Sequence, residues 1–541
     1  MDPPNETNLT AHSWLSVITF LVVIAIVIHP IRIPLPIPKT FPYDITLDIA
    51  TAPVLGVLFL LATRSINGQS VRDGIMGEPS SGVEPYAVMV LFFSLAYICI
   101  SLDMTGVFQY AAFWISRRGG GGGQRVFLAF FLLSSIMSGL ASNDVVILTM
   151  TPFLVYFSQA VELVTPIAFL MAELQTANIA SMALYIGNLT NVVVCQAYKI
   201  SFVEYSAWML LPCIASIAAC YLMLRFNFRH ERYIPKLIKI PMVDPRTCLK
   251  DPAGALFGLA VLGCSLVCLI GTSFAHVSVW MVTGPFAMIA FGRDVWYDIA
   301  VPGQSIVLPV QIHSPMLEAD QLKAGAVAPG KGAMTTADEV TIPFPIEVGS
   351  VWSMALSTRA AKNTLLGRFQ RQFPLIHGIG IRMPWSILPF TLSMFIMVEG
   401  LSHSGWIAIF ATWATRLVPN YIAATYAIGF VSVLLCNLFN NVPMTILVAR
   451  ILQHPNFANS PLTIDQPAVV RGCVLALVVG SNLGACTTLI SSLAGLMWDA
   501  VLRSKNSNVG FWNFFRWNMG VMPFVIFVAL SVVVIELTVI Y

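Results

Sequence analysis

Four asparagines stand in matched surroundings: Asn143 in Ala141-Ser142-Asn143-Asp144, Asn188 in Gly187-Asn188-Leu189-Thr190-Asn191, Asn441 in Phe439-Asn440-Asn441-Val442, and Asn482 in Ser481-Asn482-Leu483. Each interrupts a long apolar stretch. An amide side chain both donates and accepts hydrogen bonds, and backbone that leaves the helical ladder inside a bilayer must find such partners or line a water-filled cavity. Ser142, Thr190, Asn191, Asn440, Ser481, Thr487 and Thr488 add hydroxyls and amides at the same places. A set of this kind suits a hydrated ion or a polyol-like solute, and helix N-termini near Val145 and Val192 would favour an anionic group. A single Asn or Ser of this sort more often caps a break or joins two spans. Four in matched pairs, at breaks marked by Gly or Pro, point to a binding site.

Asp144 differs in kind, because an ionisable residue at a turn between apolar segments is expensive to keep and marks function. Val442 holds the corresponding place in the second set. The asymmetry implies one titrating or cation-binding centre, with Asp144 taking up and releasing a proton or a sodium ion. The alternative is a structural carboxyl held by Asn143 or by a helix N-terminus. Glu173 is a second candidate for proton coupling, placed toward the cytosolic end of its helix. Asp103 and Glu399 fall at near-equivalent points in the two sets, where helix packing and gating are equally open. Cys195 and Cys486 follow the breaks closely, and thiols ligate soft centres such as trivalent arsenic, although buried cysteine is commonly small filler. The cysteines and histidines show no zinc-ligand spacing, so no metal or other cofactor is expected. The glycine run 119–123 lacks the Lys-Ser/Thr of a phosphate loop and reads as a link. The chain has neither a GxGD nor a GxSxG motif, which argues against an intramembrane enzyme.

These groups need a frame that holds them in lipid. Of the 541 residues 57% are hydrophobic and 10% charged, against roughly 25% charged in an ordinary globular protein, so the chain is a polytopic membrane protein. The net charge of +3 is spread over a few loops, with no basic face for nucleic acid. With about 20 apolar residues per span and basic loops inside, spans run over 14–28, 47–62 and 86–115. Arms 126–139 and 146–157, each too short to cross, make a re-entrant hairpin opening to the cytosol; 166–203 is a broken helix, and 206–224 returns inward. Spans 253–271 and 277–290 follow. Then come 385–415, a second hairpin from arms 421–439 and 444–452, a second broken helix over 469–501 and a last span over 517–541.

The predicted architecture is an all-α polytopic fold of about ten spans plus two hairpins, arranged as two inverted-topology repeats, each with a re-entrant hairpin and a broken helix. The chain divides into 1–84 with two spans, 85–229 as the first repeat (tip 141–145, break 187–191), 230–252 as a basic cytosolic loop, 253–295 as two linking spans, 296–383 as a polar cytosolic insert, and 384–541 as the second repeat (tip 439–443, break 480–488) with the final span. The repeats pair Gly187-Asn188-Leu189 with Ser481-Asn482-Leu483. In a eukaryotic protein the sequons at Asn5 and Asn8 would mark the N-terminus as extracytosolic, with the chain in the plasma membrane or another cellular membrane.

The runs Ala141-Ser142-Asn143-Asp144-Val145-Val146-Ile147-Leu148-Thr149-Met150-Thr151-Pro152, Ile186-Gly187-Asn188-Leu189-Thr190-Asn191 and Gly480-Ser481-Asn482-Leu483-Gly484, the last followed by Ser491-Ser492-Leu493-Ala494, resemble the arsenical-pump membrane proteins. Those belong to the wider ion transporter superfamily, with citrate-type carriers, sodium/proton antiporters and the pigmentation P protein. The resemblance spans most of the chain outside 1–45 and 296–383. It implies an elevator-type secondary carrier, in which hairpins and broken helices move on a scaffold that often dimerises, and export of arsenite or antimonite in exchange for protons. Asp144 matches the Asn-Asp of the family's first hairpin, which implies the coupling role there. Two departures leave the substrate open. Cys486-Thr487-Thr488 replaces a stretch containing Pro and Leu, and the tips lack the paired Ser-Asn-Thr motifs of sodium-coupled dicarboxylate carriers, which counts against a dicarboxylate. Sodium/proton exchange, silicic or boric acid, an organic or inorganic anion and, more remotely, a channel stay as alternatives. The implied partners are a small inorganic solute, a coupling proton or sodium ion, the lipid bilayer and a second copy of the chain.

Overall fold

The computed structural model describes residues 9–33, 45–78, 82–118, 121–161, 163, 165–238, 245–275, 277–301, 365–505, 507 and 509–541. The sequons at Asn5 and Asn8, Gly119 and Gly120 of the glycine run, and 302–364 of the insert lie outside the described residues.

A helix satisfies its own backbone in lipid, and the apolar runs fold accordingly. α1 (Ala11–Ile28) opens on a capping box between Thr10 and Ser13, and α2 (Thr51–Ala62) and α3 (Gly68–Met76) follow. Next come α4 (Pro85–Met104), α5 (Val107–Arg118), α6 (Gly123–Leu140), α7 (Asn143–Ala160), α8 (Ile167–Ala180), α9 (Leu189–Ala197) and α10 (Phe202–Asn227). α11 (Pro252–Ser273) and α12 (Val279–Ala300) lead to α13 (Leu365–Gln372) and α14 (Pro374–Arg382). The remainder is α15 (Ile387–His403), α16 (Trp406–Thr415), α17 (Tyr421–Phe439), α18 (Asn441–Gln453), the short α19 (Pro455–Ala458) and α20 (Pro461–Asp465), α21 (Pro467–Gly484), α22 (Leu493–Ser504), α23 (Phe511–Met519) and α24 (Met522–Ile540). Among the described residues nine helices are long and apolar enough to cross a membrane. The departures from an all-α fold among the described residues are a two-stranded antiparallel ribbon, β1 (Ile31–Ile33) with β2 (Ile45–Leu47), and an isolated bridge between Gly122 and Leu237.

Several boundaries differ from the sequence prediction. The stretches 86–115 and 385–415 are each two helices instead of one span, parted at Gly106 (φ +85°) and Gly405 (φ +86°). A glycine ends a helix well because it takes a left-handed φ without a Cβ clash; a Cβ at Gly106 would lie 2.0 Å from the carbonyl oxygen of Cys248. The arms of the first hairpin are 18 residues each, not short, because helix continues through the polar residues Gln124, Arg125, Ser158 and Gln159. The linking pair does not stop at 295: α12 runs on to Ala300, and the far end of the insert is helical as α13 and α14. Both ends of α14 are pinned. Asp298 accepts from the backbone N of Leu375 and Ile376, each at 3.0 Å, and Arg382 pairs with Asp103 at 2.7 Å, an arrangement that answers the unpaired N–H groups and the dipole of the helix. The last span starts at Met522, with α23 a separate helix before it.

α6, α7 and α8 pack on one another, α10 lies against α24, and α17 runs along α21. A Cβ at Gly480 would meet that of Ser432 at 2.4 Å, so glycine sets the close α17–α21 approach, as small residues do between helices in lipid. Around this group α4 packs on α11 and α12, and α15 on α3.

Candidate functional site

Four helices begin within the packed interior. α7 starts behind Ser142, α9 behind Asn188, α18 behind Asn440 and α22 behind Ser492. Asn188 Oδ1 accepts from the N of Thr190 (3.3 Å), Asn440 Oδ1 from Val442 (3.4 Å) and Ser492 Oγ from Gly495 (3.0 Å), while Ser142 makes no such bond. Between α8 and α9 the chain leaves the helix at Ser181 and makes one 3-10 turn at Tyr185–Gly187.

The amides knit these places together. Asn143 donates through Nδ2 to Asn178 Oδ1 (3.1 Å), Asn188 through Nδ2 to Asn482 Oδ1 (2.9 Å), and Asn482 through Nδ2 to Asn191 Oδ1 (2.7 Å). Ser481 Oγ donates to Thr190 Oγ1 at 3.3 Å. At the second tip the N of Asn441 donates to Ser491 O (2.9 Å) and Asn440 Nδ2 to Ile490 O (3.2 Å). Thr487 and Thr488 turn elsewhere, both onto Asn437 Oδ1 at 2.7 Å. At the tips two carbonyl oxygens are left over. Asn143 Oδ1 and Asn441 Oδ1 are buried with no hydrogen-bond partner among the described residues, and each belongs to the first residue of its inner arm. An unmet buried acceptor costs about 1–3 kcal/mol, so these oxygens favour a ligand that brings donors or positive charge.

The helix positions of Asn188 and Asn482 differ. Asn482 lies near the C-terminal end of α21, whereas Asn188 precedes the first residue of α9. In helix position Asn482 resembles Asn178, near the end of α8, and Asn188 resembles Ser492, which precedes α22; the two pairs share one separation in sequence. α19 and α20, which have no equivalent between α7 and α8, shift the register. Asn178, Ser492, Asn437 and Ser181, whose Oγ donates to Asn482 Oδ1 at 3.2 Å, are thus residues of this region that the sequence prediction omits. A signal for the first exists. Ala177-Asn178-Ile179-Ala180-Ser181 matches Ser481-Asn482-Leu483-Gly484-Ala485 as small-Asn-aliphatic-small-small.

A small, partly open cavity lies between the first tip, α4 and the break, and Ser142 and Asp144 are its polar residues against an otherwise apolar lining. Asp144 is 8% exposed, and no ion pair reaches it among the described residues. Glu173 sits in the middle of α8, not near its end, and both its oxygens are met: Thr151 Oγ1 donates to Oε1 (2.9 Å) and Trp498 Nε1 to Oε2 (3.1 Å). Asp103 and Glu399 are ion-paired, with Arg382 and Arg450 respectively. Cys195 packs in the apolar core and Cys486 lies against Gln175 O at 3.9 Å. Among the described residues no group of three or more His, Cys, Asp or Glu side chains could hold a metal ion.

A family model described as CitMHS, citrate transporter, matches residues 14–301 and 364–470. Arsenical pump membrane proteins of Yersinia enterocolitica and Escherichia coli strain K12 are each 27% identical to the chain, over 83% of it and 86% of their own length. A putative arsenical pump membrane protein of Bacillus subtilis strain 168 is 20% identical over 90% of this chain and 94% of its own. Among solved structures the YdaH transporter of Alcanivorax borkumensis aligns over 98% of this chain and 97% of its own, with a TM-score of 0.49 and 11% identity, a likeness too faint to carry any argument. With the family model matching well over half of a chain built on membrane-length apolar helices, the protein is a multi-pass membrane transporter of the secondary type, not an enzyme, and it belongs to the citrate transporter family.

Proposed function

We propose that the chain exports arsenite, or antimonite, in exchange for protons. The reading draws on the relatives named as arsenical pumps, and the observation that carries it is the pair of unpartnered oxygens on Asn143 and Asn441. Near neutral pH arsenite is an uncharged trihydroxide, so it offers hydroxyl donors without charge, which suits two acceptor oxygens contributed by the two tips. Ser142, Gly187, Asn188, Thr190, Asn191, Asn440, Ser481 and Asn482 shape the surrounding site, with Thr487 and Thr488 behind it.

In this reading the halves are inverted copies. The hairpins α6–α7 and α17–α18 and the broken helices α8–α9 and α21–α22 move as one body against α4, α11, α12 and α15, an elevator motion, and the scaffold pairs with a second copy. Asp144 is the coupling residue. In an apolar cavity an unpaired charge is costly, so a proton taken by this carboxyl on one side travels with the moving body and leaves on the other. Glu173, already met by Thr151 and Trp498, is a secondary proton carrier. The N-terminus faces away from the cytosol.

Uptake of arsenite into inside-out vesicles with an acid interior, followed together with internal pH, tests the proposal. Gradient-driven accumulation and matching proton loss, both absent in Asp144→Asn, are expected. Sodium that collapses the gradient while arsenite stays outside would instead make the chain a cation/proton antiporter. A second reading, a carboxylate anion as solute, is favoured by the four interior helix N-termini and by the description of the matching family. Excess citrate that blocks arsenite uptake would support it.

A further inference from the structure

Away from this site, a chain of polar groups runs from α3 to the helix of the second hairpin. Ser70 Oγ lies 2.9 Å from His403 Nδ1, His403 Nε2 lies 3.6 Å from Glu399 Oε1, and Glu399 Oε2 lies 2.5 Å from the guanidinium of Arg450, which also pairs with Glu78. Glu399 and His403 belong to α15, Arg450 to α18, and Glu78 to the segment after α3. The Glu399 side chain is 7% exposed and that of His403 42%, so the imidazole is wet on one edge and faces a buried carboxyl on the other. A second small cavity is lined by Asp73, Glu78, Glu399 and Arg450, with Val193 of α9. Glu399 Oε1, the oxygen toward His403, is buried and has no hydrogen bond.

Among its described lining residues this cavity carries three carboxylates and one guanidinium. Arg450 serves two carboxylates, and Asp73 adds a third to the same lining. Of the other titratable groups on the elements packed against α15, Asp103 is held by Arg382 and His12 lies against Ser65. Arg72 on α3, His454 after α18 and Glu84 before α4 make no ion pair with Glu399. His403 is therefore the group placed to bring Glu399 a proton.

We infer that Glu399 is a second proton-binding site of this transporter, and that its protonation by way of His403 releases Arg450, and with it α18, from α15. A proton passes from water to the imidazole and from Nε2 to Glu399 Oε1, leaving a neutral ring; the reverse path restores the carboxylate. The ionised carboxyl holds the guanidinium and the neutral acid does not, so Arg450 is left with Glu78 alone. Holding such a pair is costly to undo while both members stay charged and buried, which is why the proton is the key. The inference rests on the proposed carrier reading only in taking α18 as part of the moving body. It depends neither on the solute nor on Asp144.

Amide hydrogen exchange along α18, in the full chain reconstituted in nanodiscs and corrected for intrinsic rates, tests this between about pH 8 and about pH 5, the range in which histidine titrates. Exchange in the wild type is expected to quicken several-fold on the acid side. Glu399→Gln should be fast at every pH, and His403→Gln, which leaves the Glu399–Arg450 pair intact, should lose the acid-side quickening. Asp144→Asn should keep it while losing transport. A His403→Gln variant with the wild-type profile overturns the inference, because a merely structural ion pair would not need the ring; should Glu399→Gln fail to fold, this variant still decides. Loss of the response in Asp144→Asn also overturns it, by moving the titration to the first tip. Failure of arsenite uptake with the α18 response intact would sink the proposed function and leave this site standing.

Discussion

The two hairpin tips are built alike and held differently. At the first, Ser142 is in ordinary extended backbone (φ −175°), and the tip reaches the neighbouring break through the side chain of Asn143. At the second, Asn440 takes φ +72° and ψ +155°, a region nearly reserved for glycine, where a side chain is kept only if its surroundings hold it there. They do: the backbone N of Asn441 and the amide of Asn440 both bond to carbonyls of the break, at Ser491 and Ile490. Asp144 and the cavity it lines sit at the loosely tied tip, and apolar Val442 at the tightly tied one. The buried carboxyl thus lies at the tip with the fewer ties, and the strained backbone at the tip with the more.

The sharpest way to break that comparison is to move the carboxyl. Asp144→Asn should reduce gradient-driven arsenite accumulation to background, and adding Val442→Asp should restore nothing, because Val442 is buried at the tip that is tied by its backbone to the break. Recovery of coupled uptake in the double variant would show that the tips are interchangeable. The unpartnered oxygens come next. Asn143→Ala and Asn441→Ala should each raise the KM for arsenite by roughly tenfold, the worth of about 1.4 kcal/mol of lost hydrogen bonding. A KM untouched in both would remove these oxygens from the site.

The shared helix positions of Asn178 and Asn482 lead to a further expectation. If Asn178 and Asn482 are true counterparts, Asn178→Ala should cost about as much stability as Asn482→Ala, roughly 1–3 kcal/mol for stranded buried partners, read as the unfolding midpoint in detergent. If Asn178→Ala is silent while Asn188→Ala is severe, the pairing of Asn188 with Asn482 returns.

That pairing is the part of the site that spacing alone could not deliver. The dipeptide Asn-Leu recurs at 188–189 and 482–483, yet one copy opens a half-helix and the other closes one, and α19 and α20 add residues that an alignment of constant offset cannot absorb. The spanning helices are more legible, because lipid demands long apolar runs, and the polar tips stand out against them. The breaks at Gly106 and Gly405 are hidden for the same reason: they sit inside apolar stretches long enough to pass for one span. The partners of Arg450 come from Glu78 and Glu399 in distant segments, where no local spacing rule reaches.

The smallest expected effect concerns how the second tip is held. Glycine at 440 relieves a backbone conformation that costs a side-chain-bearing residue about 1–3 kcal/mol, but it removes the Asn440 bonds to Ile490 and Val442, worth about 0.5–1.5 kcal/mol each. The two nearly cancel, so Asn440→Gly should shift the unfolding midpoint by only a few degrees. Asn440→Ala loses the same bonds and keeps the strain, so it should unfold clearly earlier than Asn440→Gly. Ser142→Gly has no strain to relieve, and its cap makes no side-chain bond to lose, so its shift should come only from the added freedom of the unfolded chain. Thermal unfolding of the purified variants separates these cases. Should alanine and glycine at 440 behave alike, the strain is not real, and the claim that the second tip is held harder than the first rests on its two ties to the break alone.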